Sequence, residues 1–422
     1  MKRNSWNGSL LSAGLVVGAL GAVGCGDGGS MTTGMGGMGG TTETTIELFS
    51  WWIAPGEAEA LQAVIDLNRA NHPNERIFNA AAVSGMDTRT LLAQRLANNN
   101  PPDLFQQNAH DLRTFLAANP GALAPLDDMF ATQGLNAAML GEILADVTVD
   151  GHIYSMPVNI HRENTLFYNK QIFAAHNLQP PTTLAELMQV CATLKAAGVT
   201  PIATAHQGWI LRIMFNTLAM GSMGVDAFNA YMAGGPRDDA ALSAAIDVFA
   251  DVLANYVNAN ASGTDFGWTN AAGEVAAGRA AMFLHGDWAK GYYVQLGWSP
   301  GVDFGVIGAP GAADMFWYGV DLFSLPAGAP HPAQAKDFLT TIASTAGQVA
   351  FNNLKGSSPI RTDVPLNQLD PEGRATLTDL MNARFRKLVV NRDAWDVAML
   401  AFAQNGDKAA LLQAYVDNPP VQ

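Results

Sequence analysis

The sequence predicts an α/β fold divided between two lobes. Its 422 residues exceed what one hydrophobic core usually serves, so more than one compact unit is expected. Hydrophobic residues make up 49% of the chain and charged residues only 14%, which excludes a largely disordered protein. Short apolar strands alternate with helical patterns of about ten or more residues, which favours α/β layering with largely parallel sheets.

The individual elements follow from local patterns. Thr45–Trp51 is rich in β-branched and aromatic residues, which is typical of a strand, and Pro55-Gly56 ends it. Apolar residues then show helical spacing from Leu61 to the stop at His72-Pro73. Further helices are predicted at Thr88–Ala97, Leu184–Ala197, Ala240–Val257, Ala333–Ala343 and Ala409–Val416. Strands are predicted at Asp103–Gln106, Ile153–Val158, Thr165–Tyr168, Ala280–Leu284, Phe304–Ile307 and Val320–Leu325.

The charge balance and the scarcity of metal ligands exclude several functions. Thirty-seven acidic against 23 basic residues give a formal charge of −14, which argues against nucleic-acid binding. Two cysteines exclude a disulfide scaffold and an all-cysteine zinc site. The eight histidines are scattered without zinc spacing, and no Walker pattern occurs. We therefore expect no metal and no cofactor.

The N-terminus reads as an export signal over residues 1–24. Lys2 and Arg3 precede the apolar run Leu10–Val23, which is too short to span a bilayer comfortably. The Cys25 that follows resembles the acylated cysteine of bacterial lipoproteins, and plain secretion with an unmodified Cys25 is the alternative. We expect an exported protein, periplasmic or at the cell surface, held to a bacterial membrane only by its lipid.

Residues 25–44 are expected to form a flexible tether behind the lipidated cysteine. Gly26–Thr44 is dominated by Gly, Thr, Met and Ser and has little to bury. Gly34–Gly39 spells the dinucleotide-binding pattern G-x-G-x-x-G, but no strand precedes it and no helical run follows. The pattern therefore does not indicate a nucleotide site.

Nucleophilic catalysis is not supported by the sequence. The one G-x-S-x-G pattern centres on Ser299, and an esterase needs the backbone N–H of the next residue. That residue is Pro300, which has none. Cys191 lies among apolar residues at a helical position and is interpreted as a core residue.

Tryptophans indicate where a ligand could bind. Trp51 and Trp52 adjoin at the end of the first strand, so their side chains point to opposite faces. Trp268, Trp288 and Trp317 fall at predicted element ends or loops. Indole faces suit the apolar face of a pyranose, although core filling explains any single tryptophan equally well. Polar residues also occur near the strand ends, namely Glu57, Gln106, His161, Asp287, Asp321 and Lys355.

The chain resembles the solute-binding proteins of ABC importers for sugars over nearly all of residues 45–422. It is most similar to the glucose/galactose-binding type. The matching stretches, in order, are Leu48–Trp52, Pro101–Gln106, Tyr154–Arg162, Gly286–Ala289 and Asn353–Ser357. Each string is short, and their order and spacing carry the resemblance.

The resemblance implies a two-lobed clamp with the sugar in the cleft between the lobes. Lobe one would hold residues 45–157 and 304–358, and lobe two residues 158–303 and 359–422. The chain would cross near Pro157-Val158, Val302-Asp303 and Ser358-Pro359.

The resemblance also implies roles for single residues. Trp51, Trp52, Glu57 and Gln106 would contact the sugar from lobe one, and His161 from the other side. Trp268 and Trp288 would close over the sugar, and Asp321 and Lys355 would form a charged pair gripping adjacent hydroxyls. Asn108 stands where close relatives carry a histidine, and Leu388–Trp395 lacks one that a relative brings to the site. Both departures bear on which sugar is bound. The remaining expected ligand contacts are Asn108 and Asp287.

Three functions remain open at this point. The first is a non-catalytic receptor, expected to be a monomer, that closes on a sugar and presents it to ABC permease subunits. The second is a secreted carbohydrate-active enzyme with paired acids such as Glu57 and Asp287 or Asp321. The third is a receptor that hands its ligand to a sensor.

Overall fold

The computed structural model describes residues 43–81, 85–390 and 393–420. The predicted signal peptide, Cys25 and the tether as far as Thr42 lie outside these residues. Within the described ranges, no helix combines the length and the apolar composition that a membrane crossing requires.

The described residues form twelve strands and eighteen α-helices. The strands are β1 (Thr44–Phe49), β2 (Glu75–Asn79), β3 (Leu104–Asn108), β4 (Thr148–Val149), β5 (His152–Ile153), β6 (Ser155–Arg162), β7 (Thr165–Asn169), β8 (Thr200–Ala203), β9 (Ala280–His285), β10 (Phe304–Gly308), β11 (Met315–Ser324) and β12 (Phe385–Leu388). The helices of the first half are α1 (Glu57–Asn71), α2 (Gly85–Ala97), α3 (Ala109–Ala118), α4 (Asp127–Thr132), α5 (Leu135–Ala138), α6 (Gly141–Val147), α7 (Lys170–Ala175), α8 (Leu184–Ala196) and α9 (Gly208–Met223). Those of the second half are α10 (Val225–Met232), α11 (Asp239–Asn255), α12 (Trp268–Ala276), α13 (Ala289–Gln295), α14 (Pro332–Ala343), α15 (Thr345–Lys355), α16 (Pro371–Asn382), α17 (Asp393–Asn405) and α18 (Lys408–Asp417).

Two larger sheets organise these elements. In the first, the strand order is β12-β11-β3-β1-β2, and β6 lies along the other edge of β11. In the second, the order is β10-β7-β9-β8. Parallel and antiparallel pairings are equally frequent, so the prediction of largely parallel sheets is wrong. The reason is that β7 runs antiparallel to β9 and β10, and β11 runs antiparallel to β3 and β6.

Each sheet has its own hydrophobic core, and we call the two parts the first and second lobes. The first core contains apolar residues of β1, β3, β6, α1 and α14. The second core gathers α8, α9, α11, α17 and α18, with a smaller cluster around β7, α12 and α13. Side chains of β11 enter both cores, because Phe316 belongs to the first and Trp317 to the second. Strand β11 therefore couples the lobes.

The segments around the lobe crossings differ from the predicted boundaries at two places. The sequence predicts residues 304–358 in lobe one, yet β10 pairs with β7 in the second sheet and Phe304 packs there. The sequence also predicts residues 359–422 in lobe two, yet Leu377 and Leu380 of α16 pack in the first core. The hydrophobic faces of β10 and α16 determine which core each element packs against. The prolines and turns from which the boundaries were predicted carry no information about these faces.

Phe323 tests the packing of the first core. Its ring is fully buried and contacts Trp52 at 5.4 Å and Phe338 at 6.0 Å between centroids. We expect Phe323→Ala to lower the free energy of unfolding by about 3–5 kcal/mol, because it leaves a cavity. Urea denaturation followed by circular dichroism measures this. Leu366→Ala, at a residue 50% exposed, is the control and should change stability by no more than about 0.5 kcal/mol. A loss below about 1 kcal/mol for Phe323→Ala would contradict the described core.

Candidate functional site

The candidate site lies where strand ends from both lobes meet. Trp51 follows β1, Gln106 and Asn108 lie at the end of β3, and His161 lies near the end of β6. Asp287 comes from the second lobe, two residues after β9. The carboxyl ends of strands in α/β proteins are where ligands commonly bind. The fold thus brings residues that are distant in sequence to one place.

Asp321 of β11 is the centre of a buried polar network. Its Oδ1 accepts hydrogen bonds from Gln106 Nε2 and Asn108 Nδ2, both at 3.1 Å. Its Oδ2 lies 3.1 Å from His161 Nε2. Burial raises the pKa of a carboxyl, but the hydrogen bond and charge of His161 outweigh burial and lower the pKa of Asp321 on balance. Asp321 is therefore held as a carboxylate.

His161 joins two carboxylates from opposite sides. Its Nδ1 lies 2.5 Å from Asp287 Oδ1, while its Nε2 faces Asp321. Burial alone would lower the pKa of His161, but the charge of Asp287 and the hydrogen bonds to both carboxylates raise it. The second oxygen of Asp287 accepts the backbone N–H of Arg162 at 2.8 Å. The raised pKa of His161 thus favours an imidazolium between the two buried carboxylates.

Lys355 forms its ion pair with Glu57. Lys355 Nζ, at the end of α15, lies 2.6 Å from Glu57 Oε1 at the start of α1. The sequence predicts a charged pair between Asp321 and Lys355, but the ionic partner of Asp321 is His161. The Lys355 charge still helps to lower the pKa of Asp321. The two predicted partners act together through electrostatics, without a direct ion pair.

The adjacent tryptophans Trp51 and Trp52 take different positions. Trp52 is 1% exposed and packs against Phe323 and Phe351 in the first core. The Trp52 ring centre lies 5.6 Å from Lys355 Nζ, so the ring stabilises the ammonium group through a cation–π contact. Trp51 is half-buried, and the Arg89 guanidinium lies 5.9 Å from its ring centre. Of the pair, Trp51 is thus the one with more exposed ring surface.

Three half-buried indoles surround His285, the last residue of β9. Trp268 stacks on its ring at 5.8 Å, and Trp209 lies 5.3 Å away. Trp288 approaches edge-on at 4.9 Å and donates its Nε1 hydrogen to His285 Nε2 at 3.0 Å. Trp288 also lies 4.9 Å from the ring of His161. The indole cluster therefore adjoins the polar network.

His285 and Trp209 are site residues that the sequence does not indicate. Burial, together with the charges of Lys355 and His161, lowers the pKa of His285 to about 3, so its ring is neutral. Because Nε2 accepts from Trp288, the hydrogen resides on Nδ1, which has no hydrogen-bond partner among the described residues. Trp209 is the second residue of α9, which is buried on nearly every face, so hydrophobic periodicity does not indicate the position of Trp209.

Glu163 is a further carboxyl near the network that the sequence does not indicate. Burial raises its pKa to about 7, against the lowering effect of the Arg212 and His161 charges. Its Oε2 has no hydrogen-bond partner among the described residues. Arg212 itself donates from Nε to Asp396 Oδ1 at 2.7 Å. Glu163 is thus the carboxyl of this region that takes up a proton most readily.

Glycines allow the two lobes to touch backbone to backbone. A Cβ atom on Gly291 of α13 would lie 2.5 Å from the Leu354 carbonyl oxygen and 3.0 Å from that of Lys355. A Cβ on Gly56 would lie 2.5 Å from the Gly291 carbonyl carbon, and Gly56 has a φ of +88°. Real Cβ atoms do not approach so closely, so α13 reaches the ends of α1 and α15 only because these positions are glycine.

The site residues are packed closely through buried ion pairs and ring contacts. A cavity of about 60 Å³ borders the site at Asp287 and Arg162, and an open groove of about 420 Å³ lies beside α1 and β2.

Comparisons with known proteins agree on one family. The sequence profile described as bacterial extracellular solute-binding protein matches residues 26–349. An uncharacterized ABC transporter extracellular-binding protein of Pyrococcus horikoshii is 33% identical over 89% of this chain and 85% of its own. A probable sugar-binding periplasmic protein of Brucella suis is 30% identical over 85% of each chain.

A solved structure shows the same fold at lower identity. The solved structure of the bacterial solute receptor AcbH superimposes on this chain with a TM-score of 0.74. That receptor is described as having an exclusive preference for β-D-galactopyranose. It is 17% identical, and the match covers 88% of this chain and 96% of that one. The predicted α/β fold with two lobes is thereby confirmed.

The raised pKa of His161 predicts how stability depends on pH. A group whose folded pKa is raised stabilises the fold below its unfolded pKa, about 6.5 for histidine, and loses that effect as pH rises through the folded pKa. We expect the unfolding free energy of the wild type, minus that of His161→Gln, to decline as pH rises from about 6 to 9. Urea denaturation across this range measures the difference. His176→Gln is the control and should show no such decline, and a difference independent of pH for His161→Gln would contradict the bridging imidazolium.

Proposed function

The chain belongs to the bacterial extracellular solute-binding protein family, and from this premise we propose that it binds a carbohydrate for an ABC importer. The ligand we propose is a glucose-like monosaccharide or a short oligosaccharide. Binding occurs by closure of the two lobes around the sugar, without catalysis.

The observation that carries this proposal is the indole cluster beside a polar network. Trp209, Trp268 and Trp288 offer half-buried aromatic faces, which suit the apolar C–H face of a pyranose. Next to these rings lie the carboxylate of Asp321 and the side-chain amides of Gln106 and Asn108. These groups can form hydrogen bonds with the hydroxyl groups of a sugar. The charge-assisted hydrogen bonds of a fixed carboxylate are the stronger kind. This pairing of surfaces matches the two chemical faces of a sugar.

The close packing supports a small sugar over a long chain. Direct backbone contact at Gly291 and Gly56 limits the space between the lobes on that side. The ion pair of Lys290 with Asp370 lies nearby, and Lys290 is 4% exposed. Both favour a ligand that the closed lobes enclose on all sides, as a monosaccharide would be.

Closure needs flexible connections between the lobes. We propose that the bending segments are the links between β6 and β7 and between β10 and β11. These links join elements of the two cores. A sugar shifts the equilibrium towards the closed form only by the contacts that it gains there, which is why residues of both lobes must touch it.

The proposed role requires no proton transfer. A glycosidase needs one carboxylic acid with a raised pKa beside a carboxylate. The pKa of Asp321 is lowered, Glu57 is paired with Lys355, and Asp287 with His161. The raised pKa of Glu163 makes Glu163→Gln the variant to examine if any turnover is detected.

The remaining parts of the proposal concern location and partners. We propose that the protein is exported, is anchored at Cys25 by lipid, and works as a monomer outside the cytoplasmic membrane. Its partner would be the permease subunits of an ABC importer, since relatives in this family are described as ABC transporter extracellular-binding proteins.

A calorimetric screen tests the proposal. We expect saturable heat with one sugar among glucose, galactose, mannose, xylose and common disaccharides, and no release of reducing sugar from a glycoside panel. Trp288→Ala should weaken that binding by more than about 1 kcal/mol, or roughly fivefold, because the ring no longer covers the sugar.

The matched control for this screen is Trp298→Ala. Trp298 is also half-buried, but it stacks on Tyr293 and Phe304 in the smaller cluster of the second lobe. Its loss should leave the sugar affinity unchanged. Absence of binding to every sugar, or turnover of a glycoside above the blank rate, would contradict the proposed function.

Gly291→Ala tests closure. The added methyl group would collide with the Leu354 carbonyl oxygen at 2.5 Å, so the closed form is disfavoured while each lobe keeps its core. We expect the sugar dissociation constant to rise about tenfold or more, and small-angle scattering with saturating sugar to show a more extended particle. Gly141→Ala is the control, because a Cβ there meets nothing within 4 Å. Unchanged affinity in Gly291→Ala would show that the glycine contact is not part of the bound form.

A further inference from the structure

We propose that His72, Glu75 and Asp337 form a binding site for a divalent metal ion of the zinc class. His72 directly follows α1, Glu75 begins β2, and Asp337 lies in α14. Their ligand atoms all lie within 4.8 Å of one another. One imidazole nitrogen and two carboxylate oxygens are a donor set that zinc accepts in proteins.

The distances fit a metal ion after a small adjustment. His72 Nδ1 lies 3.8 Å from Glu75 Oε1 and 3.8 Å from Asp337 Oδ2. Metal–ligand bonds of about 2.0–2.2 Å in tetrahedral geometry place neighbouring ligand atoms roughly 3.3–3.5 Å apart. The two carboxylates therefore need to approach His72 Nδ1 by only a few tenths of an ångström, and the side chains of His72 and Asp337 are partly exposed.

Buried residues hold Glu75 in the orientation that the site needs. Asn68 is fully buried and donates from Nδ2 to Glu75 Oε2 at 3.1 Å. Thr341 in turn donates its hydroxyl to Asn68 Oδ1 at 2.8 Å. This leaves Glu75 Oε1 facing His72. Outer hydrogen bonds of this kind orient the ligands of metal sites and tune their affinity.

The charge around the three residues also favours a cation. Within the described ranges, the only ion pairs of Glu75 and Asp337 are with His72. With a neutral imidazole, the two carboxylates leave two negative charges close together, and a divalent ion would neutralise both. The Asp337 side chain is 45% exposed, which leaves an open position for water as a fourth ligand.

The site lies at the opposite end of the first sheet from the candidate sugar site. β1 and β2 run parallel, and Glu75 pairs with Thr44 at the start of β1, whereas Trp51 follows the end of β1. A bound ion would link the turn after α1 to α14 and stabilise the first lobe. It would not touch the sugar, so the two proposals succeed or fail separately.

The sequence could not indicate this site. His72 and Glu75 are close in the chain, but two ligands at such spacing are common by chance, and Asp337 belongs to a distant helix. The expectation of no metal rested on the absence of zinc spacing, which detects only ligands that are neighbours in sequence.

Zinc titration of the metal-free protein tests the proposal. The purified full chain is stripped with EDTA, exchanged into chelator-free buffer and titrated with ZnCl2 in a calorimeter, with a parallel thermal melt. We expect one ion per chain and a higher melting temperature. CaCl2 should give neither, because calcium requires six to eight oxygen ligands, whereas this site offers two carboxylate oxygens and one imidazole nitrogen.

Variants decide whether the heat comes from this site. His72→Gln should abolish the titration heat and the thermal shift, and Asp337→Asn, at a more exposed position, should weaken binding about tenfold or more. His152→Gln is the matched control, because His152 lies 3.2 Å from the Asp127 carboxylate and the described residues offer no third ligand there. Sugar affinity should stay the same in all three variants. The proposal would be overturned if the wild type bound no zinc. It would also be overturned if His72→Gln and Asp337→Asn bound zinc as tightly as the wild type does.

Discussion

The placement of three buried charges in a row constrains the whole site. Asp287 from the second lobe and Asp321 from the first are both almost fully buried, and His161 lies between them. An isolated buried carboxylate is costly, so each needs the shared imidazolium. His161 can meet both only if the end of β6 lies beside the loop after β9. In this conformation, the ion pairs of His161 therefore hold the two lobes together where a ligand would bind.

The close backbone contacts and the aromatic cluster depend on this arrangement. Once the loop after β9 is fixed on β6, α13 follows immediately and must pass the ends of α1 and α15. Only glycine at positions 56 and 291 permits that approach. The same loop carries Trp288, which brings the indoles next to the carboxylates. The contacts of His161 with Asp287 and Asp321 thus bring the apolar indole surface and the polar network side by side.

Sequence reasoning predicted what local patterns determine and missed what long-range packing determines. The strands and helices at Thr165–Tyr168 and Leu184–Ala197 occur nearly as predicted, because they have clear periodicity and ends. Strand β11 begins five residues before the predicted Val320, since it is buried on both faces and lacks alternation. Trp317 lies inside that strand and in the second core, not at an element end. The partner of Lys355 could not be foreseen, because which acid faces an ammonium is set by the tertiary packing of α1 against α15.

Trp52 shows how a residue can matter to the site without lining it. The family resemblance implies that both Trp51 and Trp52 contact the sugar, but the two side chains, which follow the end of β1, lie in different environments. The face available to Trp52 is the first core, where Phe323 and Phe351 enclose it. From there its ring surface lies 5.6 Å from the Lys355 ammonium group, which is held by Glu57. Loss of either Glu57 or Lys355 would leave the other charge buried without its ionic partner, and loss of the Trp52 ring would remove the cation–π contact to the ammonium group.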